Sequence, residues 1–254
     1  MSAGTLFLVP VSVADPKTGD AGSLIHATLP PATRDAIMAL RVFAVENAKS
    51  ARAFLKAAGV TTPIQTISIT EIGHAPTPTL LAPLLQVLKA GTDVGVLSES
   101  GCPGVADPGA QLVRLAHESG IRVVPLVGPS SLLLALMAAG LDGQRFSFCG
   151  YLPTTPVERA HTIRALETRS RQRAETQIAI ETPYRNAALF GALVSGLQAD
   201  SRLAIAADLT LPTETILMKT VGQWRRIVAP PLQRRQVVFL FLAGQPGAGT
   251  AQAP

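Results

Sequence analysis

The densest chemical information in the chain lies in Val96-Leu97-Ser98-Glu99-Ser100-Gly101-Cys102-Pro103-Gly104-Val105-Ala106-Asp107-Pro108-Gly109. An apolar run ends there in a turn that holds three glycines and two prolines. Glycine lets the backbone approach a ligand closely, and open α/β sheets bind ligands in loops at the carboxyl ends of their strands. This is more glycine and proline than a crossover turn requires, so the segment reads as a binding loop. Asp107-Pro108 then reads as the N-cap and first-turn proline of a following helix. Neither G-x-G-x-x-G nor G-x-x-x-x-G-K-[ST] occurs, which removes the dinucleotide fingerprint and the P-loop.

Three more segments place polar groups directly after apolar runs. In Val127-Gly128-Pro129-Ser130-Ser131 the two serines could hydrogen-bond a ligand or simply cap the helix they begin. Ile178-Ala179-Ile180-Glu181-Thr182-Pro183-Tyr184-Arg185-Asn186 and Ala206-Ala207-Asp208-Leu209-Thr210 have the same character. His26, His74, His117 and His161 share no metal-ligand spacing and read as surface or incidental residues, so no metal is expected. Cys102 and Cys149 are too few for a disulfide framework or a four-ligand zinc site, and a reducing compartment is the simpler reading.

The elements that must position these loops alternate between two periods. Short Val/Ile/Leu-rich runs predict strands at Leu6–Val11, Val42–Glu46, Ile64–Ile69, Asp93–Leu97 and Arg122–Leu126. Helical spacing predicts helices over Ala32–Leu40, Asn47–Ala58, Thr79–Lys89 and Ala110–Glu118. Near-continuous apolar strands imply a sheet covered on both faces, hence parallel pairing in this half. In the second half, helices are expected at Ser130–Ala139, Pro156–Leu166 and Ala187–Leu197. The strands there are Phe146–Cys149, Gln177–Glu181, Leu203–Asp208, Thr215–Thr220 and Val237–Ala243. Thr155-Pro156-Val157-Glu158 reads as a capped helix start. The last two strands, joined by Val221–Gln236, read as an antiparallel pair. The fold class is α/β, with one domain over 1–124, a second over 125–243 joined through a hinge at 125–130, and a loose tail over 244–254.

With 254 residues, 47% of them hydrophobic and 15% charged, the chain has ample material for a core and does not have the composition of a disordered protein. The net charge of +5 is carried wholly by the second half: residues 1–124 hold nine basic and nine acidic side chains, residues 125–254 thirteen and eight. Seventeen of the 22 basic residues are Arg, which suits planar phosphate or carboxylate recognition. Export is not expected, because the apolar N-terminal run is short and has no basic residue before it. The uncharged stretch Val123–Leu141 is broken by Pro125, Gly128 and Pro129 and reads as buried core, not as a membrane span.

The segments together resemble one family, the tetrapyrrole methylases, and within it the bacterial 16S rRNA ribose 2′-O-methyltransferase branch. That branch carries a Ser-Asp-Ala-Gly-Thr-Pro…Asp-Pro-Gly loop, similar to Ser98–Gly109. Its Pro-Gly-Pro-Ser-Ala resembles Leu126–Ser131, and its Phe-x-Gly-Phe-Leu-Pro resembles Phe148–Pro153. Its Tyr-Glu-Ser-Pro-His-Arg resembles Ile180–Arg185, and its Ala-Arg-Glu-Leu-Thr resembles Ala206–Thr210. The order and spacing hold from about Leu6 to Ala243. The resemblance implies two α/β domains with a cofactor cleft between them, and S-adenosyl-L-methionine (SAM) as cofactor. It implies cofactor contacts from Pro10, Ser98, Ser100, Gly101, Cys102, Val105, Ser130, Ser131, Glu181 and Leu209. It also implies a homodimer, a cytoplasmic location and rRNA in the 30S subunit as partner.

Four departures stand beside these matches, and the first two lie where the family's substrate side is expected. Relatives begin Pro-Thr-Pro-Ile-Gly-Asn-Leu where this chain has Pro10-Val11-Ser12-Val13-Ala14-Asp15, and carry Ala-Glu-Asp-Thr-Arg where it has Val45-Glu46-Asn47-Ala48-Lys49. Their loop aspartate is Glu99 here and the neighbouring Thr is Cys102. A ribose hydroxyl needs a base to take its proton; Glu46, Lys49 and Glu99 are the candidates, each also readable as an ordinary surface or capping residue. Asp107 is expected to cap a helix, not to act as a base. The basic run Arg159, Arg164, Arg169, Arg171 and Arg173 reads as a phosphate-contacting edge or as a solvated face. Two alternatives accompany the rRNA reading: C-methylation of a corrin or porphyrin precursor, and a SAM- or RNA-binding module without turnover.

Overall fold

Val94-Gly95-Val96-Leu97 has no polar side chain and is buried along its whole length, as the middle strand of a sheet covered on both faces must be. In the computed structural model, which describes residues 2–13 and 21–244, it forms β4 (Val94–Leu97). Around it stand β1 (Thr5–Val9), β2 (Val42–Val45), β3 (Ser68–Glu71) and β5 (Arg122–Pro125), in the order β3-β2-β4-β1-β5. All four pairings are parallel, as the apolar strands require.

The pleat sends alternate side chains to two separate cores. Phe43, Val45, Val9 and Leu97 face one side, against α1 (Ala21–Thr28), α2 (Pro31–Ala39) and α3 (Ala48–Ala57) through Ile25, Ile37, Ala51 and Leu55. Leu6, Ala44, Val94 and Val96 face the other, against α4 (Pro78–Lys89) and α5 (Ala110–Glu118) through Leu81, Leu84, Leu88, Leu112 and Ala116. The Asn47 carboxamide caps α3 by accepting from the Lys49 and Ser50 amides at 2.9 and 3.2 Å.

Three expectations in this half need correction. The strand expected at Ile64–Ile69 begins later: Pro63 opens a 3-10 turn over Ile64–Thr66, the Thr66 and Ile67 amides bond back to Pro63 and Ile64, and pairing starts only when the Ser68 amide reaches the Arg41 carbonyl. Helix α1 was not anticipated, because of its eight residues only Ile25 is buried. Asp107 does not cap α5. That helix starts at Ala110 behind Gly109, whose φ of +132° only glycine adopts readily, and the Asp107 side chain points elsewhere.

The chain divides into two units, Met1–Ser130 and Ser131–Pro254. The second has a mixed sheet of β6 (Phe146–Tyr151), β7 (Thr176–Ile180), β8 (Arg202–Ala207), β9 (Thr215–Thr220) and β10 (Val237–Leu242), in the order β6-β7-β10-β8-β9. β6 and β7 are parallel and the other pairs antiparallel. The last two strands are therefore not partners: β8 lies between them and pairs with both. Hydrophobic pattern marks a strand but does not say which neighbour it finds. The helices here are α6 (Ser131–Ala138), α7 (Pro156–Arg173), α8 (Asn186–Gly196) and the short α9 (Val221–Trp224). Trp224 meets Phe190 edge-on at 5.2 Å, and its indole N–H donates to the Leu203 carbonyl at 2.8 Å.

Helix α7 runs to Arg173, well past the expected end at Leu166. Its last turns carry almost no apolar residues and are held by polar anchors: Glu167 accepts from the Gln198 amide and the Ser201 hydroxyl, and Ser170 accepts from the Ala243 amide. At its start Thr155 caps no backbone amide; its hydroxyl donates to the Glu158 carboxylate at 2.5 Å. Among the described residues no helix is long and apolar enough to cross a membrane. The expected tail from Gln245 onward and the Ala14–Asp15 departure lie outside the described residues.

Candidate functional site

The carboxyl end of β4 delivers the chain into the glycine-rich loop, and the loop is built against two other segments of the first unit. The Gly101 carbonyl accepts from the Val11 amide at 2.9 Å, tying the loop to the end of β1. Gly101 has φ +67°, a left-handed conformation that a side chain would strain. The Gly104 amide returns to the Pro108 carbonyl at 3.2 Å and closes the loop on itself. Gly128 lies so close to Pro10 that a methyl group on it would stand 2.3 Å from the proline ring. The Cys102 thiol donates to the Pro129 carbonyl at 3.5 Å, and burial followed by the Asp107 charge pushes its pKa up. Pro10, Ser98, Ser100, Gly101, Cys102 and the turn leading to Ser130 thus come together in one place. Val105 stands at the exposed outer end of the loop, and Ser131 opens α6 in the second unit.

Acidic groups dominate this corner. The Glu46 carboxylate is buried at the end of β2; one oxygen accepts from the Glu99 amide at 2.8 Å and the other lies 3.0 Å from His74 Nδ1. Asp107 is half-buried. Burial, and after it the Glu46 charge, raise its pKa to about 6, while Ser98 and His74 pull the other way and Glu99 adds to the rise. Ser98 itself is buried, and its hydroxyl donates to the Ser100 carbonyl at 3.2 Å. Lys49 is exposed on the first turn of α3. Beside the loop, an apolar cavity of about 190 Å³ is walled by Val11, Ile25, Ala51, Phe54 and Leu97, with Glu99 at its edge.

The raised carboxyl has a consequence for stability. A neutral Asp107 carries no desolvation cost in either state; once ionised it does so only when folded. Its contribution is therefore complete below the unfolded value of 3.8 and is lost as pH rises through about 6. Asp107→Asn is expected to flatten the fall of Tm over that window, as differential scanning fluorimetry across pH would read. An unchanged slope would mean that the carboxyl is solvated.

Two of these residues carry no functional signal in the sequence: His74 shares no metal-ligand spacing with the other histidines, and Asp107 reads as a helix cap. Nothing in the local pattern marks either, since Glu46, His74 and Asp107 are far apart in the chain and meet only because β2, β3 and β4 are neighbours. Among the described residues no group of three or more His, Cys, Asp and Glu side chains could hold a metal ion.

In the second unit, the buried Glu181 carboxylate accepts from Arg185 at 2.7 and 2.9 Å and from the Thr182 amide at 2.7 Å. It therefore shapes the 181–185 turn. Leu209 is buried between Asp208 and Thr210, both with positive φ (+53° and +72°). Such strain in non-glycine residues gathers at functional loops. The Thr210 hydroxyl is buried and has no partner among the described residues. The basic run on α7 is thinner than its sequence suggests. Arg169 is clamped by Glu175 at 2.7 and 3.1 Å and Arg171 by Asp200 at 3.3 Å, which leaves Arg164 and Arg173 exposed.

Residues 28–224 match the family model for tetrapyrrole (corrin/porphyrin) methylases. The chain belongs to that family. Within it the chain lies in the branch of the ribosomal RNA small subunit methyltransferase I proteins. It is 38% identical to that protein of Mesorhizobium japonicum over 138 residues, which are 54% of this chain and 46% of the relative. It is 30% identical to the Pseudomonas aeruginosa protein over 248 residues, covering 96% of this chain and 80% of the relative. The chain spans about half the length of the first relatives it matches. Among solved structures, the methyltransferase CobJ superposes with a TM-score of 0.60 at 17% identity, over 100% of this chain and 98% of that one. At this identity the likeness concerns the α/β fold alone.

Proposed function

We propose that this protein is a SAM-dependent methyltransferase that methylates a ribose 2′-oxygen of small-subunit rRNA. One observation carries the cofactor reading: the loop from Ser98 to Gly109 has glycines and small hydroxyls, no Lys or Arg, and three carboxylates, Glu46, Glu99 and Asp107, gathered about it. A phosphate ligand would be repelled by such a site, whereas a ligand with ammonium and sulfonium charges fits it. The close approach of Gly128 to Pro10 and the left-handed Gly101 are the backbone features such a cradle needs. When bound, SAM supplies a methyl group on a positively charged sulfur.

Pro10, Ser98, Ser100, Gly101, Cys102, Val105 and Ser130 would hold it through backbone groups and small side chains. Holding donor and acceptor in line supplies much of the rate in such a displacement. The rRNA reading rests on the family branch. Arg164 and Arg173 offer the exposed charge of α7 to phosphate, so RNA affinity should fall steeply as salt rises. Location in the cytoplasm follows from a ribosomal substrate. A homodimer is supported by the apolar surface left by Leu133 and Met137 on α6 and by Phe146 and Tyr151 on β6, all exposed in the single chain.

The test has two stages. Calorimetry should detect SAM binding, and incubation with radiolabelled SAM and undermethylated 30S subunits should leave label in an alkali-resistant dinucleotide, the mark of a 2′-O-methyl group. Absence of SAM binding removes the methyltransferase reading. Binding without label in rRNA removes the substrate.

A further inference from the structure

Deepening that reading and resting on it, we infer that His74 takes the proton from the ribose hydroxyl and that Glu46 positions it. The carboxyl ends of β3, β2 and β4 lie side by side, and each gives one part of the arrangement. After β2, the Glu46 amide donates to the Leu97 carbonyl at 3.0 Å; after β3, the Ile72 amide donates to the Val45 carbonyl at 2.8 Å. Gly73, at φ +59°, then turns the chain so that His74 comes back over Glu46.

The contact of 3.0 Å joins His74 Nδ1 to Glu46 Oε1. In the tautomer with its hydrogen on Nδ1, beside the carboxylate, Nε2 keeps its lone pair and becomes the proton acceptor. The imidazole side chain is 84% exposed and the carboxylate 6%, so the acceptor atom is open while its orienting group is fixed. Glu46 cannot rotate freely, because its other oxygen accepts the Glu99 amide from the glycine-rich loop itself. The loop proposed to hold the methyl donor thus also fixes the carboxylate that aims the base.

The other candidates fit less well. Both Glu46 oxygens are engaged and buried, and among the described residues no hydrogen bond or ion pair orients the exposed Lys49 and Glu99 side chains. In the step, a lone pair of O2′ forms the O–CH3 bond as the S–CH3 bond breaks with its electrons left on sulfur. The O2′ proton passes to Nε2, and the imidazolium then returns it to water. The carboxylate in contact with His74 is Glu46, and Asp107 interacts with both. A mere surface ion pair would contribute little to anything.

The experiment is steady-state labelling of undermethylated 30S subunits by the full-length protein across pH, with SAM affinity measured separately. His74→Gln should lower kcat by about 10²–10⁴ while KM and the Kd for SAM stay within about threefold, and the acid limb of the kcat profile should vanish. Glu46→Gln should lower kcat less, again with KM and the Kd for SAM within about threefold, since it loosens the orientation of the ring without removing the base. His117→Gln, on the exposed face of α5, should change nothing. A His74→Gln enzyme with kcat near that of the wild type and an intact acid limb overturns the inference and leaves the ribose reading standing. A wild-type protein that binds SAM and labels no rRNA overturns both.

Discussion

Gly128→Ala is expected to weaken SAM binding by about 100-fold, because it forces apart the two segments that approach each other most closely at the site. The added methyl would stand 2.3 and 2.5 Å from Pro10 Cγ and Cβ, and 3.1 Å from Leu29 Cδ2. The leucine methyl can rotate away. The buried pyrrolidine ring cannot, so either the 127–130 turn or the end of β1 must move. Movement of Pro10 carries Val11 with it and pulls on the bond from the Val11 amide to the Gly101 carbonyl, so the strain reaches the glycine-rich loop. Overpacking of this kind costs about 1–3 kcal/mol of stability, which leaves a folded protein to assay. Calorimetry with SAM beside urea unfolding measures both effects. Gly143→Ala, where nothing lies within 4 Å of the added carbon, is the matched control. SAM affinity equal to that of the wild type would count against the Pro10–Gly128 approach as part of the site.

Arg185→Met is expected to lower stability by on the order of 3 kcal/mol, the cost of leaving a buried carboxylate without its counter-charge. The Glu181 side chain is fully buried, and two of its three polar contacts come from the Arg185 guanidinium. Methionine keeps much of the aliphatic stem and removes the charge. The remaining contact, from the Thr182 amide, does not balance an ionised group in that position. The double variant Glu181→Gln/Arg185→Met should recover part of the loss. Urea titrations of both variants would measure this. A single variant as stable as the wild type would mean that water reaches Glu181.

The departure at Val45–Lys49 gains a structural sense from these contacts. Asn47 caps α3, and Glu46 turns inward to the Glu99 amide and to His74. The substitution of aspartate by Glu99 matters less than its position suggests, because the backbone amide of Glu99 makes the contact with Glu46 and its side chain stays exposed.

What the sequence determined by itself is whatever depends on near neighbours. Apolar runs marked β1, β2, β4 and β5 of the first sheet and their parallel pairing, since a strand such as Val94–Leu97 with no polar face has to be covered on both sides; β3, with the sequence Ser-Ile-Thr-Glu, carries no such run. Helical spacing placed α3, α4 and α5, and the order of five short motifs gave the family and the loops of the candidate site. Tertiary structure decided whatever depends on which element lies beside which. β10 inserts between β7 and β8, a choice made by packing across the whole second sheet and invisible in any one strand. The last turns of α7 survive without an apolar stripe because Glu167 and Ser170 find amides from distant segments. His74 and Asp107 lacked any local sign of a role: an imidazole acquires direction only from the carboxylate beside it, and a carboxyl shifts its proton affinity only through burial and neighbouring charge. Both conditions arise when three strands far apart in the chain end side by side.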